Sequence, residues 1–373
     1  MPPNMKPIAL AASAAACVAW LATARAEEAS RRVGGYELRS DGAQLEVWKG
    51  KRHATLSADA RVVRMTGDAQ RVDVELATPC TRWSTRYTLD QLEARLVNSD
   101  ALVLHRARSW ARAAVGFTRA VQLDPTWRLP AYNLASADVQ LGDSAAALAT
   151  LAPWLASEPV VTYVQVWRDP ELRPLLTSKP LAAVRAAAPG SARVGDGALD
   201  FAYSAAHGLV AYTVDHSGWS SCYQRSDVEL HDIRTGKLVA TIAAIADSDN
   251  AGATEDCPAG FRTRRAALVA ERAVAINRLL ADLGFVTTSA ERTTLTTGSG
   301  KPAWHFPRAQ LGVVVGADNH AHILRGDRTV GTSEQWGQDA VYLDVPKVMV
   351  FFATGHDAGA CSFAQGAMAP VAP

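Results

Sequence analysis

Apolar and polar residues change rhythm three times along the chain. From Tyr36 to Leu76 they alternate: Tyr36-Glu37-Leu38-Arg39, Leu45-Glu46-Val47-Trp48, Val62-Val63-Arg64-Met65 and Val72-Asp73-Val74-Glu75-Leu76 are separated by Gly, Asp and Ser. Alternation gives a strand one apolar face, so residues 33–90 are expected as an N-terminal β segment. From Asp90 the spacing becomes three and four, through Leu92, Leu96, Leu102, Leu104, Ala113 and Phe117. That period predicts consecutive amphipathic helices over 91–188, punctuated by Pro125, Pro159 and Pro189. Residues 189–197 hold Pro, Ser and three Gly and read as a linker.

Strand patterns return in residues 198–373. Gly208 to Val214 is one, and Asp227 to Ile233 with Leu238 to Ile242 forms a hairpin around Thr235-Gly236. A helix is predicted from Thr263 to Leu283, stopped by Gly284. Further strands are expected at Val286–Thr288, Val313–Val315, His322–Leu324, Val341–Leu343 and Val348–Phe352, with a frayed tail of Ala, Gly and Pro after Phe363. The fold class is α+β and multidomain: a short helical array between an N-terminal β segment and a C-terminal antiparallel α+β domain.

Composition narrows the function. The chain has 373 residues, 48% of them hydrophobic, and a formal charge of +1, so the basic excess of a phosphate-neutralising protein is absent and no nucleic-acid partner is expected. Lys6, the apolar run Ile8–Ala22 and Ala24-Arg25-Ala26 make residues 1–26 a signal-peptide pattern, which implies export to the periplasm or beyond and no membrane span after cleavage. An N-terminal membrane anchor and lipidation at Cys17 are the alternatives. Export favours disulfides, and Cys80, Cys222, Cys257 and Cys361 lie beyond residue 26. Of three connectivities the expected one is Cys222–Cys257, closing a strand pair and its polar loop, with Cys80–Cys361 following; buried thiols are the alternative.

The helical part repeats. Ala113, Phe117, Ala120 and Pro125 are matched 34 residues on by Ala147, Leu151, Trp154 and Pro159, and Ala101 by Ala135. Ala131-Tyr132-Asn133-Leu134-Ala135, Leu141-Gly142-Asp143 and Ala145 to Leu155 read as first helix, turn and second helix of one unit. Over about residues 94–188 the chain resembles the tetratricopeptide repeat (TPR) family. That resemblance implies a helical array whose first helices bind a peptide or partner protein, with Asn133 in contact with the partner and Arg128, Tyr132 and Gln140 beside it. It also implies a capping helix pair over Val160 to Arg185, whose second helix opens at Asp169-Pro170-Glu171-Leu172. The alternative is that these helices only pack on the flanking β segments.

Catalytic motifs are weak. No Gly-x-Ser-x-Gly occurs, and the turn-like Thr297-Gly298-Ser299-Gly300-Lys301 is followed by Pro302, which blocks a phosphate-binding helix. Asp247-Ser248-Asp249-Asn250-Ala251-Gly252 opens like a calcium loop, but Pro258 stands where the glutamate ligand belongs. The sequence therefore reads as a non-enzymatic, exported bacterial binding scaffold with no cofactor, an unidentified protein or peptide partner and an open oligomeric state. The rival reading is a metal-binding protein or metal enzyme, using His320 and His322, one residue apart on a strand, with His356.

Overall fold

The computed structural model describes residues 29–41, 44–58, 60–77, 82–195, 199–217, 224–250, 259–294, 303–318, 320–333, 339–352 and 366–371. The protein is mixed α+β, and among these residues the strands form five antiparallel sheets. Two compact units divide the chain. Among the described residues the first runs through Ser157 and takes in Asp169–Leu176; the second comprises Glu158–Arg168 and those from Thr177 onward.

In the first unit β1 (Ala29–Val33), β2 (Tyr36–Ser40), β3 (Gln44–Lys49) and β4 (Arg52–Ala58) pair in sequence order, as do β5 (Arg61–Gly67), β6 (Arg71–Ala77) and β7 (Arg82–Thr88). Their alternation puts Leu38, Leu45, Val47, Val72, Val74 and Leu76 into one core, which Leu92 and Leu96 of helix α1 (Leu89–Arg106) complete. The change of period at residue 90 coincides with a capping box: the Thr88 hydroxyl accepts from the Gln91 N–H at 3.2 Å, and Gln91 Oε1 accepts from the Thr88 N–H at 2.9 Å.

One carboxylate welds α1 to the sheet. Glu93 accepts from Tyr36 Oη at 2.7 Å, Lys49 Nζ at 2.9 Å and Arg52 at 3.0 Å, donors on β2, β3 and β4. Burial pushes this carboxyl up, but the bonds from Lys49, Tyr36 and Arg52 outweigh it and hold its pKa down at about 2. After α1 come α2 (Trp110–Leu123), α3 (Arg128–Gln140) and α4 (Ser144–Ser157).

The second unit contains α5 (Pro159–Arg168), α6 (Lys179–Ala182) and α7 (Phe261–Asp282), with Gly284 past the end of α7 at φ +71° as expected for a left-handed cap. β8 (Ala202–Ser204), β9 (Leu209–Ser217), β10 (Gln224–Asp232), β11 (Leu238–Ile245) and β12 (Val286–Thr287) form one sheet, ordered β11-β10-β9-β8-β12. A second joins β13 (Ala290–Thr294), β18 (Asp339–Leu343), β19 (Val348–Phe352) and β20 (Gly366–Pro370); a third joins β14 (Ala303–Phe306), β15 (Leu311–Val315), β16 (Ala321–Arg325) and β17 (Arg328–Ser333). The second sheet is the middle layer. Val341, Leu343, Val348 and Val350 pack on Val210 and Tyr212 of the first sheet, whereas Ala340, Tyr342 and Met349 pack on Trp304, Val313 and Ile323 of the third. Covering both faces is why Val341–Leu343 and Val348–Phe352 read as unbroken apolar runs instead of alternating ones.

Three expectations fail. Residues 189–195 are no free linker: the Gly190 N–H bonds to Ala281 O and the Ala192 N–H to Phe285 O, both at 2.9 Å, and Ala192 and Val194 are buried. Gly190 is required there, since a Cβ would lie 2.1 Å from Phe285 O. The tail is not frayed over Gly366–Pro370, which pairs with β19 from Val348↔Pro370 to Phe352↔Gly366. Asp169-Pro170-Glu171-Leu172 opens no second capping α-helix but a 3-10 turn, Arg173–Thr177, and Pro174 withholds the N–H a longer helix needs there. The strands β1, β4, β7, β8, β13, β17 and β20 lack a readable apolar alternation and lie outside the expected set, as does β14, where Trp304 and Phe306 alternate with His305 over only 4 residues.

Candidate functional site

The helices of the first unit form two hairpins that match at a spacing of 34 residues. α1 ends at Arg106 and α3 at Gln140; α2 spans Trp110–Leu123 and α4 Ser144–Ser157. Three bonds correspond between the turns, and the Leu141 N–H adds a fourth, to Asp138 O, in the second. Ala107 N–H to Val103 O, Arg108 to His105 and Ser109 to Leu104 in the first are repeated by Leu141 to Ala137, Gly142 to Val139 and Asp143 to Asp138 in the second. Arg108 and Gly142 share a left-handed backbone, at φ +58° and +84°. The matched Ala113 and Ala147, Phe117 and Leu151, and Ala101 and Ala135 are all fully buried where helices cross.

Polar pairs join the two first helices, α1 and α3. Asn133 Nδ2 donates to Asn98 Oδ1 at 2.9 Å, and Ser136 Oγ lies 3.4 Å from His105 Nε2. Asn98 and Ser136 are buried, so each link spans a largely desolvated seam in which an unmade bond is costly. Glu171 enters this seam from Asp169–Leu176: the Ser136 hydroxyl donates to Glu171 Oε2, which also lies 3.4 Å from His105 Nε2. The trio is not a nucleophile with its base and orienter, because the hydroxyl proton is aimed at the carboxylate and both partners meet the same ring nitrogen. At the N-terminal end of the seam Arg95 pairs with buried Asp124 at 2.9 Å and lies 3.5 Å over the Trp127 ring.

Of the residues expected to meet a partner, Arg128 lies 5.4 Å over the Trp154 ring, Tyr132 is buried, and Asn133 and Gln140 are half-buried. Asn133 sits between the first helices, with its amide committed to Asn98. Sequence reasoning missed Asn98, His105, Ser136 and Glu171. Buried Asn98 on an otherwise apolar stripe of α1 was the one signal that could have drawn attention to the seam.

In the second unit His320 and His322 converge on Asp318, at 3.6 and 3.1 Å from its carboxylate oxygens. The space is made by Gly316, whose Cβ would lie 2.4 Å from Asp318 Oδ1 and 2.6 Å from His322 Nε2. The bond from the His320 N–H leads in holding the Asp318 carboxyl below its ordinary value, followed by that from His322. Among the described residues no group of three or more His, Cys, Asp or Glu side chains could hold a metal ion. His356 and the four cysteines Cys80, Cys222, Cys257 and Cys361 lie outside the described residues, as does the segment 1–26.

A further cluster joins buried Tyr212 and His231 with half-buried Glu229. The ring nitrogens of His231 face Tyr212 Oη at 3.1 Å and Glu229 Oε2 at 2.8 Å on one side and Gly236 O at 3.2 Å on the other. Burial pushes the Tyr212 hydroxyl far above its ordinary value, with the Glu229 charge adding to it.

Searches against family models, curated proteins and solved structures found no match for this chain. Among the described residues no helix is long and apolar enough to cross a membrane, which says nothing of strands.

Proposed function

We propose that this chain is an exported, non-enzymatic binding scaffold in which α1–α4 act as a short TPR-like array that takes a peptide or protein partner along α1 and α3. The observation that carries this reading is the recurrence of the two hairpins, with three corresponding turn bonds, at 34 residues, the length of a TPR unit. Burial of the small residues Ala101, Ala113, Ala135 and Ala147 at the crossings supports it, because stacked units of that family bring their helices close at such positions. The half-buried polar residues His105, Asn133 and Gln140 lie along α1 and α3 and support a partner on that side. Export rests on the pattern of residues 1–26, and the two disulfides on the even number of cysteines beyond residue 26: Cys80, Cys222, Cys257 and Cys361.

The test is photo-crosslinking in the exporting cell. A photoreactive amino acid at Gln140, at the end of α3, is expected to trap a stoichiometric polypeptide, and one at Val115, on the exposed side of α2, is not. Asn133→Ala should weaken the Gln140 adduct. It also leaves buried Asn98 short of a donor, so the melting temperature is measured alongside, with a cost of about 1–3 kcal/mol expected. Equal crosslinking at both positions, or none at Gln140, would sink the reading.

A further inference from the structure

The seam between α1 and α3 already holds a ligand-like group, and it comes from the chain itself. Asp169–Leu176 groups with the first unit although the helix immediately before it in sequence belongs to the second. Its Leu172 and Leu175 are buried, and its Glu171 carboxylate sits on the Ser136 hydroxyl and within 3.4 Å of the His105 ring. Both groups that face this carboxylate belong to the first helices, 31 residues apart in the chain, and the backbone bonds of the two turns do not involve Glu171. A short stiff segment thus places one acidic side chain on the binding face: the Asp169 carboxylate and carbonyl accept the N–H groups of Glu171, Leu172 and Arg173 at 2.9 to 3.1 Å and hold its backbone in a turn.

We infer that Asp169–Leu176 is a built-in occupant of the α1–α3 face and that the partner is an acidic peptide whose carboxylate displaces Glu171 from Ser136 and His105. The inference rests on the scaffold reading above and adds the chemistry of its partner. A hydroxyl and an imidazole N–H donate charge-assisted hydrogen bonds to a carboxylate, and a tethered carboxylate competes at an effective concentration that a free peptide must overcome. Removing the tethered charge while keeping its shape should therefore raise affinity for an acidic peptide.

The probe is a synthetic hexaglutamate peptide, titrated against the full chain by calorimetry. Glu171→Gln is expected to bind it about tenfold more tightly than the unaltered protein, the size of one charge-assisted bond released. Adding Ser136→Ala to Glu171→Gln should return the affinity to the starting level. If Glu171→Gln fails to fold, Glu171→Asp, which draws the same charge back from Ser136, should shift affinity in the same direction. Hydrogen exchange across 169–176 should quicken when hexaglutamate binds. Equal affinity of the unaltered and Glu171→Gln proteins overturns self-occupancy, and absence of binding by both overturns the acidic partner. Neither result touches the Gln140 crosslink, on which the scaffold reading stands or falls separately.

Discussion

The hairpins α1–α2 and α3–α4 close with three corresponding backbone hydrogen bonds, yet different side chains support those bonds. In the second, Gly142 takes the left-handed position and Asp143 Oδ1 accepts the Ala146 N–H at 2.9 Å, so turn and cap are chemically standard. In the first, Arg108 occupies the left-handed position and Ser109 makes no side-chain cap bond to α2. The first hairpin has other support: Glu93 ties α1 to three strands, and Gly116 lets α2 approach α1. One backbone geometry is thus held locally in one hairpin and by long-range contacts in the other.

Acid should separate the two most strongly. The Glu93 pKa is depressed in the folded state, so its contribution is complete above the ordinary value of 4.5 and is lost as the pH falls through about 2. The side chain is only 22% exposed, and the shift corresponds to a stabilisation of order 3 kcal/mol at neutral pH. Amide exchange in α1 and α2 should quicken between these pH values before that in α3 and α4. Glu93→Gln should bring the same difference on at neutral pH, and matching exchange in both hairpins throughout would show that the carboxylate hub does not hold the first.

Packing separates them next. A Cβ at Gly116 would lie 2.7 Å from Ala101 Cβ, so Gly116→Ala forces α1 and α2 apart at a cost of about 1–3 kcal/mol. The matched residue of the second hairpin is Thr150, and Thr150→Ala should stay within about 0.5 kcal/mol. Urea unfolding of both variants measures this; equal costs would mean that the crossings are equally close. Capping comes third. Asp143→Ala should cost about 1 kcal/mol, and Ser109→Ala, which removes no cap bond, much less.

The same contrast explains what the sequence could reveal. Local periodicity exposed α2 and α4, and Pro125 and Pro159 marked their ends, because spacing along one element encodes which face it buries. The Glu93 hub, the Asn98–Asn133 pair and the Glu171 contacts join residues 35 to 66 positions apart and leave no periodic trace. The tail strand β20 was hidden for a different reason: its ladder bonds are backbone bonds, which Gly and Ala make without an apolar pattern. Asn133 was legible as a polar residue on a first helix, but its commitment to Asn98 was not.

The smallest effect tests the comparison most directly, by giving the first turn the residue of the second. At φ +58° Arg108 holds its Cβ against the backbone at a cost of roughly 1–2 kcal/mol, and its exposed side chain offers little burial in return. Glycine removes that strain and adds about 0.5–1 kcal/mol of chain entropy to the unfolded state, so Arg108→Gly should stabilise the protein by a few tenths up to about 1 kcal/mol. The reverse exchange, Gly142→Arg, meets no crowding, since a Cβ there finds nothing within 4 Å; its cost should therefore be the backbone strain alone, about 1 kcal/mol. A rise in urea midpoint for the first and a fall for the second, at unchanged slope, would show the two turns to be energetically interchangeable. If Arg108→Gly lowers the midpoint instead, the arginine side chain contributes to the first turn something its repeat partner does without, and the equivalence of the hairpins ends at the backbone.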